Sequence, residues 1–275
     1  MIMGITRFLY HTAPGRVLLR PLASRPVSNL LGAFMETRAS KPLVPVFKKI
    51  NHIDTADCDV SNVRCFNDFF CRPLLPGKRP FCMEKEALAA PCDGLLSVIP
   101  LQEDTVFPVK QSTFSLHSLL RDKRLAASYY GGTALVFRLT VSHYHRYSYF
   151  DSGRKSADRR IKGVYHTVQP VALEVRPVFT ENSRCYTVID SPSFGRCVQM
   201  EVGAMLVGRI KNNVPGKARI QRGEEKGHFL YGGSTIILLL PKDAADIDGE
   251  ILMSSRAGIE YPVKMGERIG TCRKK

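Results

Sequence analysis

The chain has 275 residues, 44% of them hydrophobic and 24% charged, which is enough apolar material for one sizeable core or two small ones and excludes disorder as its main state. Lys and Arg outnumber Asp and Glu by 40 to 25, a formal charge of +15 that favours a polyanionic partner, either a phosphate backbone or an anionic membrane surface. No stretch reaches the roughly 18–20 apolar residues that a spanning helix needs; the longest pure run, Ile236 to Leu240, has strand length.

The first residues lack a continuous apolar region of signal-peptide length and a small-residue cleavage site, so the N-terminus is read as retained. Ile5, Phe8, Leu9, Val17, Leu18, Leu19 and Leu22 alternate with Arg7, Arg16, Arg20 and Arg25. Two readings stay open here: short basic amphipathic helices on a lipid interface, or helices packed on their own domain. An Arg-rich, acid-poor start is also compatible with an organelle transit peptide. Residues 1 to about 75 read as helical, through SNLLGAFMETRASKPLVPVFKKINHI and again around VRCFNDFFCRPL, until Pro73, Pro76, Gly77 and Pro80 end the pattern. The division expected is a helical, membrane-associating region, residues 1–75, and a β-rich body, residues 76–275. Short β-rich runs fill that body: GLLSVIP, TALVFRLTV, GVYHTVQPVALEV, CYTVID, CVQMEVGAMLVGRI, HFLYGG and STIILLLP. Gly, Pro, Asn and Asp between them are the punctuation of a mainly antiparallel β domain. One helix is expected inside it, at STFSLHSLLRDKRLA, with Ser112 or Thr113 as its cap. Eight cysteines are scattered without a CxxC pair, so no metal site is expected and reduced thiols of a cytosolic compartment are the simplest reading.

GEEKGHFLYGGSTIILLLPKD, residues 223–243, carries the most informative letters. Gly232 and Gly233 open backbone conformations closed to other residues, and Ser234 follows them directly before a buried-looking strand. Taken alone, GGS is a tight turn. A strained, polarised Gly233 carbonyl would also permit the Ser234 hydroxyl to attack it and convert the amide into an ester; elimination and hydrolysis then leave a pyruvoyl group.

Seven blocks stand in order along the chain: FNDFFCRPLLPGKRP (66–80), APCDG (90–94), VKQSTFSLHSLL (109–120), HYHRYSYFDSG (143–153), GVYHTVQPVAL (163–173), VQMEVGAMLVGRI (198–210) and GEEKGHFLYGGST (223–235). With them the sequence resembles the phosphatidylserine decarboxylases, in the branch whose self-cleavage motif reads GGST. The resemblance implies an α+β fold, N-terminal helices leading into a β-rich, mainly antiparallel catalytic body. It implies cleavage between Gly233 and Ser234 into a beta chain (1–233) and an alpha chain (234–275), a pyruvoyl cofactor made from Ser234 and no metal. Phosphatidylserine is then the substrate, joined through a Schiff base and released as phosphatidylethanolamine and carbon dioxide. Asp93 matches the family's aspartate that orients a histidine base. Many members read DYHRxHxP where this chain has HYHRYSYFD: His143 stands at the Asp position, His145 and Arg146 are retained, and Ser148 replaces the second histidine. Strand alternation would put His143, His145 and Tyr147 on one face, and His166, on a neighbouring candidate strand, is the reserve for the missing imidazole. His145 is the expected proton donor. Phe69, Phe70, Phe114 and Leu116 read as core or as an acyl surface; Lys110 or Arg72 are candidates for the lipid phosphate. A peripheral protein on the cytoplasmic face of the cell membrane, docking on an anionic surface, and a homodimer complete the expectation, with no nucleic acid. The alternatives are pyruvoyl-dependent decarboxylation of a soluble amino acid derivative and a non-enzymatic basic β domain that binds polyanions.

Overall fold

The computed structural model describes residues 2–102, 115–204, 209–230 and 234–273. Helices come first: α1 (Ile2–His11), α2 (Ala13–Leu22), α3 (Arg25–Met35), a 3₁₀ turn at Arg38–Ser40, α4 (Leu43–Ile50) and α5 (Phe66–Phe70). Thr12 separates α1 from α2 by capping the second, its Oγ1 accepting from the Gly15 amide at 3.1 Å. Gly15 also lets the two helices touch, since a Cβ there would lie 2.0 Å from the Phe8 carbonyl oxygen.

The body follows with β1 (Ala87–Ala89), β2 (Gly94–Pro100), α6 (Leu116–Leu120), α7 (Lys123–Ala127), β3 (Thr133–Leu139), β4 (Arg146–Ser148), β5 (Gly153–Lys155) and β6 (Arg159–Ile161). Next come α8 (Pro170–Leu173), α9 (Val178–Glu181), β7 (Arg184–Ser191), β8 (Gly195–Val202), β9 (Ile210–Asn212), β10 (Ala218–Ile220) and β11 (Glu225–Phe229). The chain closes with β12 (Ser234–Leu240), β13 (Ala245–Ile247), α10 (Gly249–Arg256), β14 (Tyr261–Val263) and β15 (Arg268–Cys272). The fold is α+β, and the pairings between the described strands are antiparallel. The largest sheet runs β10-β5-β7-β8-β12-β3-β2-β14 with β6 also on β7; β4-β11-β9 and β1-β15-β13 form two smaller ones.

Strand β12 lies between β3 and β8, and all seven of its residues are buried. Its register is Ser234 opposite Leu139 and Thr235 opposite Val202. Side-chain alternation then divides two cores. Ile236 and Leu238 join Leu139, Tyr147 and Phe229 on one face; Ile237 and Leu239 join Val202, Tyr10 and Leu19 on the other. Each of those four β12 side chains contributes about 1.5–3 kcal/mol on burial.

Several local expectations change. In place of one helix at 112–126 there are two short ones, capped by Ser115 and Asp122, with Arg121 left-handed between them. Ser112, Thr113, Lys110 and Phe114 lie outside the described residues. GVYHTVQPVALEV is not a strand: apart from an isolated bridge at Val164 it is irregular chain ending in α8. His143 and His145 do not share a strand face either, because β4 begins only at Arg146, with His143 in a bend and residues 144–145 in irregular chain.

Candidate active site

Ser234 opens β12 with no exposed surface, and its Oγ has no hydrogen-bond partner. By alternation it faces the core shared by Ile236 and Leu238. Gly233 lies outside the described residues. Three other strands end at the same edge of the sheet as Ser234. β3 closes at Leu139, its cross-strand neighbour, and turns through Thr140–His143. β2 starts at Gly94, immediately after Asp93, and pairs there with Val263 of β14. Sheet register, not sequence proximity, gathers these residues at one end of the sheet.

Asp93 is buried and held from two sides. Arg79 donates to its carboxylate through Nε at 3.2 Å and Nη2 at 3.1 Å, and the Met265 amide donates at 2.8 Å. Arg79 also reaches Asp57 at 2.8 Å. Arg79, Asp93 and His143 line a cavity of about 930 Å³ together with Arg72 and Lys264. His143 closes the Thr140 turn: its Nδ1 accepts from the Thr140 amide at 2.9 Å, which places the proton of the neutral ring on Nε2. Burial lowers its pKa, and the Asp93 charge opposes that shift.

His145 differs from its neighbour. It has no exposed surface, neither ring nitrogen makes a hydrogen bond, and the ring lies on that of Phe70 with centroids 3.9 Å apart. Its carbonyl accepts from the Phe229 amide at 3.0 Å, tying it to the core that Ser234 faces. Burial, then the charges of Arg72 and His143, hold its pKa well below the ordinary histidine value, so the ring is neutral. Arg72 is itself buried. Its guanidinium meets neutral acceptors, the Cys58 thiol at 3.3 Å and the carbonyls of Phe69 and Ser142 at 3.4 and 3.3 Å, and stacks over the Phe69 ring.

The structure does not bring His166 to this group. Its Nδ1 meets the Tyr10 hydroxyl at 3.1 Å and its Nε2 lies 3.3 Å from Glu181, while Asn182 bonds its amide and carbonyl at 2.8 Å each. Tyr10 and Val168 belong to the core on the opposite face of the sheet from Ser234. Ser148 Oγ rests 3.5 Å from the Met265 sulfur. Phe69, Phe70 and Leu116 are core side chains. Arg79 and Met265 are the site residues that sequence reasoning passed over. The signal for Arg79 was present, a cation in the KRP that closes the first block, but its pairing with a carboxylate fourteen residues later depends on the turn between them.

Among the described residues, no group of three His, Cys, Asp or Glu side chains is placed to hold a metal ion. Fold and site define an α+β protein whose central strand begins on a buried, unpartnered serine. The family model described as phosphatidylserine decarboxylase matches residues 66–271. Phosphatidylserine decarboxylase proenzyme 2 of Clostridium acetobutylicum is 40% identical over 268 residues, covering 97% of this chain and 91% of that protein. The phosphatidylserine decarboxylase proenzyme of Ruminiclostridium cellulolyticum is 40% identical over 270 residues, with 96% and 90% covered. That of Clostridium botulinum, strain Alaska E43, is 36% identical over 270 residues, with 96% and 91% covered. The chain belongs to the phosphatidylserine decarboxylase family.

Proposed function

We propose that the chain is the precursor of an enzyme that decarboxylates phosphatidylserine to phosphatidylethanolamine, activated by its own cleavage between Gly233 and Ser234. The observation that carries this reading is the buried, unpartnered Ser234 hydroxyl at the head of the central strand; the His145 ring, also unpartnered, lies against Phe70, and its backbone carbonyl is bonded by Phe229 of the core that Ser234 faces. A buried hydroxyl without a partner costs about 1–3 kcal/mol, and a reacting group explains its retention. The residues fit a pyruvoyl group at position 234: the hydroxyl is unencumbered by hydrogen bonds and lies at a strand end.

In cleavage, Ser234 Oγ attacks the preceding carbonyl while its proton passes to a free ring nitrogen of His145. The C–O bond replaces the C–N bond and the same proton moves on to the freed amine, leaving an ester; loss of the Ser234 α-proton then expels the carboxylate of residue 233 from the β-carbon, and water hydrolyses the enamine so formed, releasing ammonia and leaving the ketone. Asp93, fixed by the Arg79 fork, presents its charge to His143 across the cavity and steadies the turn that abuts Ser234. The pyruvoyl carbonyl supplies the electron sink for the pair released with carbon dioxide. His145 then holds the proton that is delivered to the substrate carbon. The two chains, 1–233 and 234–275, stay together because β12 remains sandwiched between β3 and β8, β14 pairs with β2, and β15 with β1.

Access to a lipid falls to the helices. Leu30 and Phe34 of α3 are exposed one turn apart, as are Val46 and Ile50 of α4, and Arg38, Lys41, Lys48 and Lys49 lie among them. This apolar, basic surface is suited to an anionic membrane face. No helix among the described residues is long and apolar enough to cross a membrane.

Intact-mass measurement of the purified protein, with and without Ser234→Ala, tests the reading. Two fragments, the smaller blocked at its N-terminus, and release of carbon dioxide from phosphatidylserine vesicles are expected of the parent. An uncut parent chain that still decarboxylates would refute it.

A further inference from the structure

A separate cavity of about 460 Å³ lies where α3 meets β6, β7 and β9. Arg25, Arg160, Lys162, Arg184, Arg209 and Lys211 contribute to its walls, and among the described lining residues there is no carboxylate. One of the six has a counter-ion nearby, Arg209 facing Glu36 at 3.2 Å. Lys162 and Lys211 make no ion pair among the described residues. Arg25 uses Nε on the Gly163 carbonyl at 2.9 Å, and Arg160 reaches the Ile210 carbonyl at 3.4 Å. Arg184 is buried in the wall with four carbonyl partners, those of Leu119, Ser118, Thr180 and Asn182, at 2.7–3.0 Å. These dipoles satisfy its N–H groups but leave its charge whole. Burial, and then Arg121, push this guanidinium down to about 10, so it is still a cation at neutral pH.

Six cations around one concavity repel one another, and an anion between them would relieve that repulsion. The planar forks of Arg and the ammonium of Lys match phosphate oxygens. Arg184 pairs with Val202, which pairs with Thr235, so the backbone of this wall stands two strand spacings, about 10 Å, from the start of β12, while the Arg184 side chain takes the Tyr186 and Val188 face, opposite that of Ser234. The cavity also reaches Leu230, the last residue described before Ser234.

We infer that this cavity binds a phosphate-bearing anion, the phosphodiester of a phospholipid headgroup, an assignment of ligand class that rests on the decarboxylase reading. The test uses the full-length Ser234→Ala precursor and titration calorimetry with three probes: inorganic phosphate, dihexanoyl phosphatidylserine and dihexanoyl phosphatidylglycerol, both lipids below their aggregation point. Binding to the precursor should weaken about tenfold in Lys162→Gln/Lys211→Gln, and likewise in Arg160→Gln, as expected for loss of a charge-assisted hydrogen bond. All three positions are exposed, so their folding is undisturbed. Preference for the serine lipid identifies the substrate headgroup, equal binding of both lipids a general anionic-lipid subsite, and inorganic phosphate binding as tightly as either the phosphate alone. No binding of any probe, or equal binding by precursor and variants, overturns the inference. Decarboxylation by the cleaved parent is measured separately on vesicles: turnover without the binding effect removes this site alone, and binding without turnover removes the enzymatic reading alone.

Discussion

Replacing Arg79 by Met keeps the apolar stem of the side chain and removes the fork that holds Asp93. Two charge-assisted hydrogen bonds are lost, at 3.2 and 3.1 Å, and Asp93 keeps only the Met265 amide at 2.8 Å. Opposite charges about 4 Å apart attract by about 4 kcal/mol at an effective dielectric constant of about 20, and the recovered hydration of the site offsets part of that loss. A net destabilisation of about 2–3 kcal/mol is expected. Measured on the Ser234→Ala background, where the chain is a single piece, it corresponds to a fall of about 1 M in the urea midpoint. The second Arg79 contact, with half-exposed Asp57, contributes little, and Asp57→Asn alone should move the midpoint by less than about 0.3 M. In the cleavable chain, Arg79→Met should slow fragment formation about 10–100-fold, with Arg79→Lys intermediate because an ammonium keeps the charge and loses the fork. A double-mutant cycle with Asp93→Asn should return a coupling of about 1–2 kcal/mol. An unchanged midpoint together with wild-type cleavage would refute the positioning role.

His145→Ala should abolish cleavage on the hour timescale, whereas His166→Gln should leave it intact and instead raise proteolytic nicking near α1, by loosening the Tyr10 contact; fragment mapping separates the two outcomes. Acid should destabilise the fold through its buried imidazoles. The pKa of His145 is held well below the ordinary value, that of His143 is lowered, and that of His228 is pushed down to about 4, each chiefly by burial. The unfolded chain therefore binds the extra protons first as pH falls below about 6.5, and stability falls with it by up to about 1.4 kcal/mol per pH unit for each group, a loss complete only below the folded-state values. Urea midpoints at pH 7.5, 6 and 5 should decline, less steeply in His228→Phe. Lys226 and Glu201 form an ion pair with no exposed surface. Lys226→Met alone should cost about 3–5 kcal/mol by stranding a carboxylate, and Glu201→Leu added to it should restore most of that, read from thermal transitions.

The strands that build the sheet were legible because their letters leave few options. STIILLLP and TALVFRLTV are short, β-branched and apolar, bounded by Gly or Pro, and both became central strands, β12 and β3. The helical start was legible from periodicity, and the family from seven ordered blocks. The geometry of the site was not. GVYHTVQPVALEV has the letters of a strand but finds only a bridge at Val164, since Asn182 takes the hydrogen-bonding groups of His166. HYHRYS failed the alternation rule for a local reason: Thr140 and His143 close a turn, so the two histidines leave the bend in different environments, one facing a cavity and one against Phe70. Which face of the sheet a residue takes is fixed by register with strands remote in sequence, and that information lies in no single segment. The sheet is also what separates Ser234 from His166, which packs with Tyr10 on the other face.

Its place in the sheet suits Ser234 both to a structural role and to the proposed reactive one. At the first position of the central strand its backbone is pinned by pairing with Leu139, while its side chain faces a core that offers no acceptor. An alanine there would suit the packing at least as well and avoid an unpaired hydroxyl. Ser234→Ala should accordingly stabilise the uncut chain slightly, by about 0.5–1 kcal/mol, while eliminating cleavage. A stable, intact variant is the signature of a residue kept for its chemistry; a destabilised one would mean that the hydroxyl serves the fold.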